Sequence, residues 1–198
     1  MPKYKLYYFP LKGRGEIIRL LFAYANVEYE DVRIPFDEWP TKKNDFPFKQ
    51  LPVLDVDGKR YSQSHAIERF LAREFSLVGK NSSTLAKADE FGEAMQDVMM
   101  KLPWTEKDEE TKERLMKQAL TETIPPALEI IENNFTNGDY YAGELTFTDI
   151  GFASCADHLL SLDSSVLDGT PKLKALFERI WAIPSIASWV KKRPKTAM

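Results

Sequence analysis

The chain has 198 residues, of which 43% are hydrophobic and 29% charged, ordinary globular usage that fits one large domain or two small ones. Its formal net charge of −3 provides no basic excess to neutralise phosphates, which argues against nucleic acid as the main partner. One cysteine, Cys155, and two histidines, His65 and His158, exclude an intramolecular disulfide, a CxxC redox pair and a typical cysteine or histidine metal centre.

Lys3–Phe9 is rich in aromatic residues and reads as a strand. Gly13-Arg14-Gly15-Glu16 then opens a helix with Ile17, Leu20, Leu21 and Tyr24 at helical spacing. Tyr29–Ile34 reads as a second strand. Val53–Val56 and Lys59–Ser62 read as a hairpin turned at Asp57-Gly58. A helix is expected from Ser64 to about Glu74. The order β-α-β, an irregular stretch, then β-β-α predicts a mixed sheet with helices on its faces. Ser76–Ser83 reads as a linker. Beyond it the apolar spacing is helical: Leu85, Ala88, Phe91, Met95, Val98, Met99 and Leu102, then Leu115, Ala119, Leu128, Ile131 and Phe135. Pro125-Pro126 marks a kink or break, and the charge run Lys107–Arg114 reads as a solvated helix junction. Thr146-Phe147-Thr148-Asp149 resembles a capping box, with Asp in place of Glu. Lys172–Trp181 and Ser185–Val190 read as two more short helices. The expected architecture is a small α/β domain over residues 1–78 and an all-α domain over 79–198. The first residues lack the apolar run of a signal peptide, and no run of about 18 apolar residues is present. A cytoplasmic protein outside the membrane is therefore expected.

GxSxG, HExxH, Walker A and GxGxxG motifs are all missing, and Gly13-Arg14-Gly15 is too short for a phosphate loop. Candidate polar residues instead gather where strands end and helices begin, the edge at which open α/β sheets bind ligands. Tyr7 and Tyr8 end the first strand; either is a core residue or a phenol that donates to a bound anion, and alternation does not choose between them. Leu51-Pro52 precedes the hairpin. Base rates favour a trans bond there, while a cis bond would turn the Leu51 amide and carbonyl outward toward an extended peptide. Gln63-Ser64 reads as a serine N-cap or as an anion site at a helix start. Trp39 and Lys43 are surface residues by default, but together they would bracket a carboxylate. Asp97 reads as a solvated helix residue. His65 and His158 are expected to be structural, and Cys155 a buried core thiol.

Taken together these positions resemble the cytosolic glutathione transferases over the whole chain. Tyr8-Phe9-Pro10-Leu11-Lys12-Gly13-Arg14-Gly15-Glu16-Ile17-Ile18-Arg19 is similar to the N-terminal signature of the sigma class and its nematode relatives. Phe36-Asp37-Glu38-Trp39-Pro40, Leu51-Pro52-Val53-Leu54, Ser62-Gln63-Ser64-His65-Ala66-Ile67, Pro103-Trp104 and Thr146-x-x-Asp149 also match, in order and at the right spacings. Ile183-Pro184-Ser185-Ile186-Ala187-Ser188-Trp189 resembles the prostaglandin-synthesising members of that class.

The resemblance implies a thioredoxin-like N-terminal domain (βαβ-ββα), a helical C-terminal domain and a homodimer. It implies Tyr8 as the catalytic phenol that activates glutathione as a thiolate for conjugation to hydrophobic electrophiles, a cis Leu51–Pro52 bond and no metal. Leu51 would pair with the cysteinyl backbone of glutathione. Gln63 and Ser64 would hold its γ-glutamyl carboxylate, and Trp39, Lys43 and Gln50 its glycyl end. Asp97 would reach glutathione bound to the other subunit. Arg14 would tune Tyr8, and Phe9, Arg14, Met99 and Trp104 are expected to wall the electrophile site. Lys12 departs from the usual Arg, Gly15 from Ala, and Gly151 suggests a roomier pocket than in prostaglandin synthases. The alternatives are a carrier of haem-like or lipid ligands with little or no catalysis, a prostaglandin H to D isomerase, and a structural lens-crystallin type of protein.

Overall fold

The computed structural model describes residues 2–136 and 138–196. By contacts the chain forms two units, Met1–Leu77 with Ala182–Met198, and Val78–Trp181.

The first unit is built on four short strands: β1 (Tyr4–Tyr8), β2 (Glu30–Arg33), β3 (Val53–Val56) and β4 (Lys59–Ser62). They lie in the order β2-β1-β3-β4, with β1 parallel to β2 and antiparallel to β3. β1 is an inner strand, with Leu6 opposite Asp31 on one side and Leu54 on the other. The hairpin turns where expected, with Asp57 and Gly58 both at positive φ (51° and 87°), the backbone that matches strand twist. Two helices cover the sheet: α1 (Gly13–Ala25) and α3 (Ser64–Glu74). Leu6, Ile18, Leu21, Phe22, Leu54, Ile67 and Leu71 are all fully buried, each worth about 1.5–3 kcal/mol of burial. The stretch expected to be irregular holds one helical turn, α2 (Trp39–Lys42), and two 3-10 turns, Lys43–Asp45 and Pro47–Lys49.

The second unit is helical: α4 (Ser82–Met99), α5 (Glu109–Gln118), α6 (Ile124–Asn133), α7 (Phe147–Leu162) and α8 (Pro171–Trp181). α5 starts inside the charge run, where the Asp108 side chain accepts from the Thr111 N–H at 2.9 Å. Pro125 and Pro126 sit in the first turn of α6, where their lack of N–H groups interrupts the helical bond pattern running in from α5. Ahead of them Ala119–Thr123 closes a π turn, because the prolines offer no N–H to the carbonyls of residues 121 and 122. Phe91 of α4 stacks on Tyr141 (centroids 4.0 Å apart) and packs on Phe152 of α7 (5.4 Å). The capping box of α7 is formed: Asp149 accepts from the Thr146 N–H at 2.7 Å and from the Tyr141 N–H at 3.0 Å.

The last helix, α9 (Pro184–Lys192), groups with the first unit rather than with the helical one. Its Ile186 is fully buried, and its Trp189 reaches Glu16 of α1. Periodicity alone assigns a helix to 185–190 without saying which layer it covers. Cys155 is half-buried rather than a core thiol.

Candidate active site

Most of the candidate residues belong to the first unit, at the C-terminal end of β1, the starts of α1 and α3 and the stretch from Trp39 to Pro52. Tyr8 is 7% exposed. Its phenolic oxygen accepts the Arg14 backbone N–H at 3.1 Å, which leaves its own hydrogen free to donate. Burial raises the Tyr8 pKa above that of an ordinary phenol, while the Arg14 N–H and the charges of Arg14 and Arg19 pull the other way. The phenol is therefore neutral at pH 7, the state in which it donates a hydrogen bond. Tyr7 instead stacks edge-on against Phe46 (5.3 Å) beneath Arg60.

The Gly13-Arg14-Gly15 sequence has a local reason. A β-carbon at Gly13 would stand 2.8 Å from the Tyr8 hydroxyl, and one at Gly15 would stand 2.4 Å from Tyr8 Cδ1. Gly13 also has a positive φ of 38°. The two glycines are the bed of the Tyr8 ring. A pair of glycines one turn beyond a strand-ending tyrosine is the sequence signal for this, and a search for phosphate loops passes over it.

Leu51–Pro52 is cis, which corrects the base-rate expectation and agrees with the resemblance. Ser64 is not the N-cap: it is the first residue of α3, and Gln63 precedes it at φ 71° with no side chain capping the first turn. The backbone N–H groups there, with the helix dipole, suit a carboxylate. The Gln63 amide faces Gln50, Nε2 to Oε1 at 3.5 Å, so residues 13 apart in sequence share one rim. Trp39 opens α2 and packs edge-on against Phe9 (5.5 Å). Lys43 follows one turn later and is exposed, as is Arg14.

Phe9 lies beside Tyr8 (5.7 Å) and stacks flat on Phe36 (4.7 Å, 15°). Phe36 is 58% exposed and extends the aromatic surface of Phe9, a contact that an aromatic in an irregular segment does not signal by periodicity. The remaining candidates belong to the second unit. Asp97 is exposed on α4. Trp104 donates its indole N–H to the Met99 carbonyl at 2.6 Å and stacks on His158 (5.3 Å).

The family models describe the same molecule. "Glutathione S-transferase, N-terminal domain" matches residues 2–73 and "Glutathione S-transferase, C-terminal domain" matches residues 94–193. The chain is similar to Hematopoietic prostaglandin D synthase of Gallus gallus, 42% identical over 199 residues and all of both chains. Glutathione S-transferase S1 of Drosophila melanogaster is 36% identical over 98% of this chain and 80% of its own length. A solved structure of rat hPGDS complexed with a quinoline superposes with a TM-score of 0.94 at 36% identity, covering 100% of each chain. This chain belongs to the glutathione S-transferase family. It has the family's thioredoxin-like N-terminal domain and helical C-terminal domain, and it is an enzyme of the glutathione S-transferase type.

Proposed function

We propose that Tyr8 activates glutathione by hydrogen-bonding through its hydroxyl to the sulfur, so that the thiol gives its proton to water and the stabilised thiolate attacks the carbon of an apolar electrophile, from which a leaving group such as chloride departs. The observation that carries this reading is the buried Tyr8 phenol, neutral, its oxygen already accepting the Arg14 N–H. A donor whose own oxygen accepts a second hydrogen bond is polarised and donates more strongly. A free thiol titrates near ~8.5, and lowering that by two units requires about 2.7 kcal/mol of selective stabilisation. A hydrogen bond to a charged group supplies about 1.5–3 kcal/mol, so one hydroxyl, with the Arg14 charge beside it, is enough without a metal.

For glutathione itself, Gln63 and Ser64 at the start of α3 hold the γ-glutamyl carboxylate, and the outward Leu51 backbone beside Pro52 pairs with the cysteinyl unit. Trp39, Lys43 and Gln50 hold the glycyl end, with Asp97 contributed across a homodimer. Phe9, Arg14, Met99 and Trp104 wall the electrophile site. The protein works in the cytoplasm, as a sigma-class detoxifying enzyme. Dimerisation is supported by Phe48, which is 75% exposed and held at φ 55°, a combination that persists where function or a partner requires it. Prostaglandin isomerisation is favoured as a second activity by the likeness to the Gallus gallus enzyme. The lack of a side chain at Gly151, which suggests a roomier pocket than in prostaglandin synthases, weighs against it. A carrier role for haem-like or lipid ligands is the remaining alternative, marked by tight binding that survives loss of Tyr8.

The test is conjugation of glutathione to chlorodinitrobenzene by wild type and Tyr8→Phe. Turnover should fall by roughly 10–10³-fold, the cost of an oxyanion donor, with a smaller change in glutathione affinity. Unchanged turnover would remove Tyr8 from the chemistry, and negligible wild-type turnover with intact glutathione binding would favour the carrier.

A further inference from the structure

A chain of buried polar contacts runs from the last helix to the catalytic loop, all within the first unit. Trp189 of α9 donates its indole N–H to Glu16 Oε1 at 2.9 Å, and Arg193 Nη1 reaches the same oxygen at 3.0 Å. The other oxygen, Oε2, takes Arg19 Nη1 at 3.4 Å. Arg19 is fully buried. Its Nη1 also donates to the Leu11 carbonyl at 2.7 Å, and its Nη2 to the Phe9 carbonyl at 3.5 Å. Its guanidinium lies 5.8 Å from the centre of the Tyr8 ring. On the far side Asp31 of β2 accepts from Arg19 Nε at 3.2 Å and is itself paired with Arg33.

We propose that α9, through Trp189 and Arg193, is a positioning element for Tyr8: it fixes Glu16, Glu16 holds Arg19, and Arg19 holds the Phe9–Leu11 loop and the Tyr8 ring in place. The proposal rests on the reading of Tyr8 as the thiol-activating residue. A buried guanidinium keeps its geometry only while its carboxylates are fixed. The two donors from α9 occupy one oxygen of Glu16 and so leave the other turned to Arg19. Without them Glu16 is free to rotate, and the loop carbonyls lose a rigid donor. Catalytic hydrogen bonds are sensitive to displacements of this kind. The titratable and charged groups in this cluster are Glu16 and Arg19 from α1, Tyr29 just ahead of β2, Asp31 and Arg33 from β2 and Arg193 just past the end of α9, with Arg14 on the Tyr8 side. Arg19 is also one of the charges that lower the proton affinity of Tyr8, so a looser Arg19 weakens thiolate stabilisation as well as geometry. Of the basic run Lys191-Lys192-Arg193-Pro194-Lys195, Arg193 thus turns inward onto α1.

The experiment titrates the thiol of bound glutathione by its ultraviolet thiolate absorbance and by the pH dependence of kcat/KM. The proteins compared are wild type, Trp189→Phe, Arg193→Gln, Arg193→Lys and Tyr8→Phe. Trp189→Phe keeps an aromatic ring on α9 and removes the N–H donor together with the five-membered half of the indole. Trp189→Phe and Arg193→Gln should each lower the thiolate fraction below neutral pH by about two- to fivefold, with glutathione KM within about twofold of wild type and Arg193→Lys closer to wild type than Arg193→Gln. Added to Tyr8→Phe, neither α9 change should have a further effect on the titration, the mark of action through one residue. If Tyr8→Phe shifts the titration and both α9 variants leave it where it was, the proposal is overturned even should their melting temperatures fall. If Tyr8→Phe leaves the titration unmoved, the reading of Tyr8 fails and takes this proposal with it.

Discussion

The Tyr8 ring rests directly on Gly15, so closely that a β-carbon there would lie 2.4 Å from Cδ1 and 2.7 Å from Cγ. Both atoms belong to the base of the ring, so a methyl group would move the whole ring rather than its tip. Gly15→Ala should displace the hydroxyl by on the order of 1 Å and lower turnover by about tenfold or more, with glutathione KM little changed. Kinetics beside Tyr8→Phe would check this. Wild-type turnover in Gly15→Ala would mean that the ring finds a second productive seat.

Lys43 is exposed beside the Trp39 turn and tests the glycyl end of the proposed glutathione site. A lone lysine pairing with a carboxylate in open water contributes about 0.2–1 kcal/mol. Lys43→Ala should therefore raise glutathione KM by about two- to fivefold and leave kcat at saturating glutathione unchanged, the signature of uniform binding. A fall in kcat with constant KM would contradict that placement.

Asp149 gives the fold a pH dependence of unusual sign. It is buried, and desolvation raises its pKa to about 6, against hydrogen bonds from the Tyr141 and Thr146 N–H groups and the Thr146 hydroxyl that lower it. The native carboxyl binds its proton below about 6, whereas the unfolded one waits until about 3.8. Its titration therefore favours folding as pH falls through that window, fully below the unfolded value and no longer above the folded one. Asp149→Asn removes the titration, so its stability penalty should be about 2 kcal/mol larger at pH 4.5 than at pH 7. Urea unfolding of both proteins at the two pH values measures the gap, and a narrower gap at low pH would mean that the hydrogen bonds outweigh desolvation.

Phe48 tests the proposed homodimer. The side chain is 75% exposed, and both Phe48 and Lys49 are held at positive φ. Phe48→Ser should shift sedimentation toward the monomer, raising the dimer dissociation constant by about tenfold or more as expected for a buried aromatic anchor. A dimer as tight as wild type would move the contact elsewhere on the surface.

Local rules already determined much of this protein. Alternation and turn chemistry carry the hairpin at Asp57-Gly58, helical spacing carries α3 at Ser64–Glu74, and the Thr146–Asp149 spacing carries the cap of α7, because each depends on residues within one or two turns of each other. The resemblance of short ordered motifs added the cis Leu51–Pro52 bond, which base rates alone point against. Other features depend on contacts between distant segments. Only the folded chain brings Gln63 to Gln50, Phe36 onto Phe9, and Trp189 to Glu16, 173 residues away. It also set the hydroxyl of Tyr8, which the resemblance had singled out, against the Arg14 N–H, and packed α9 with the sheet unit. Periodicity reports which face of an element is apolar. Which partner covers that face, and which buried charge meets which, is decided by packing and desolvation across the whole unit.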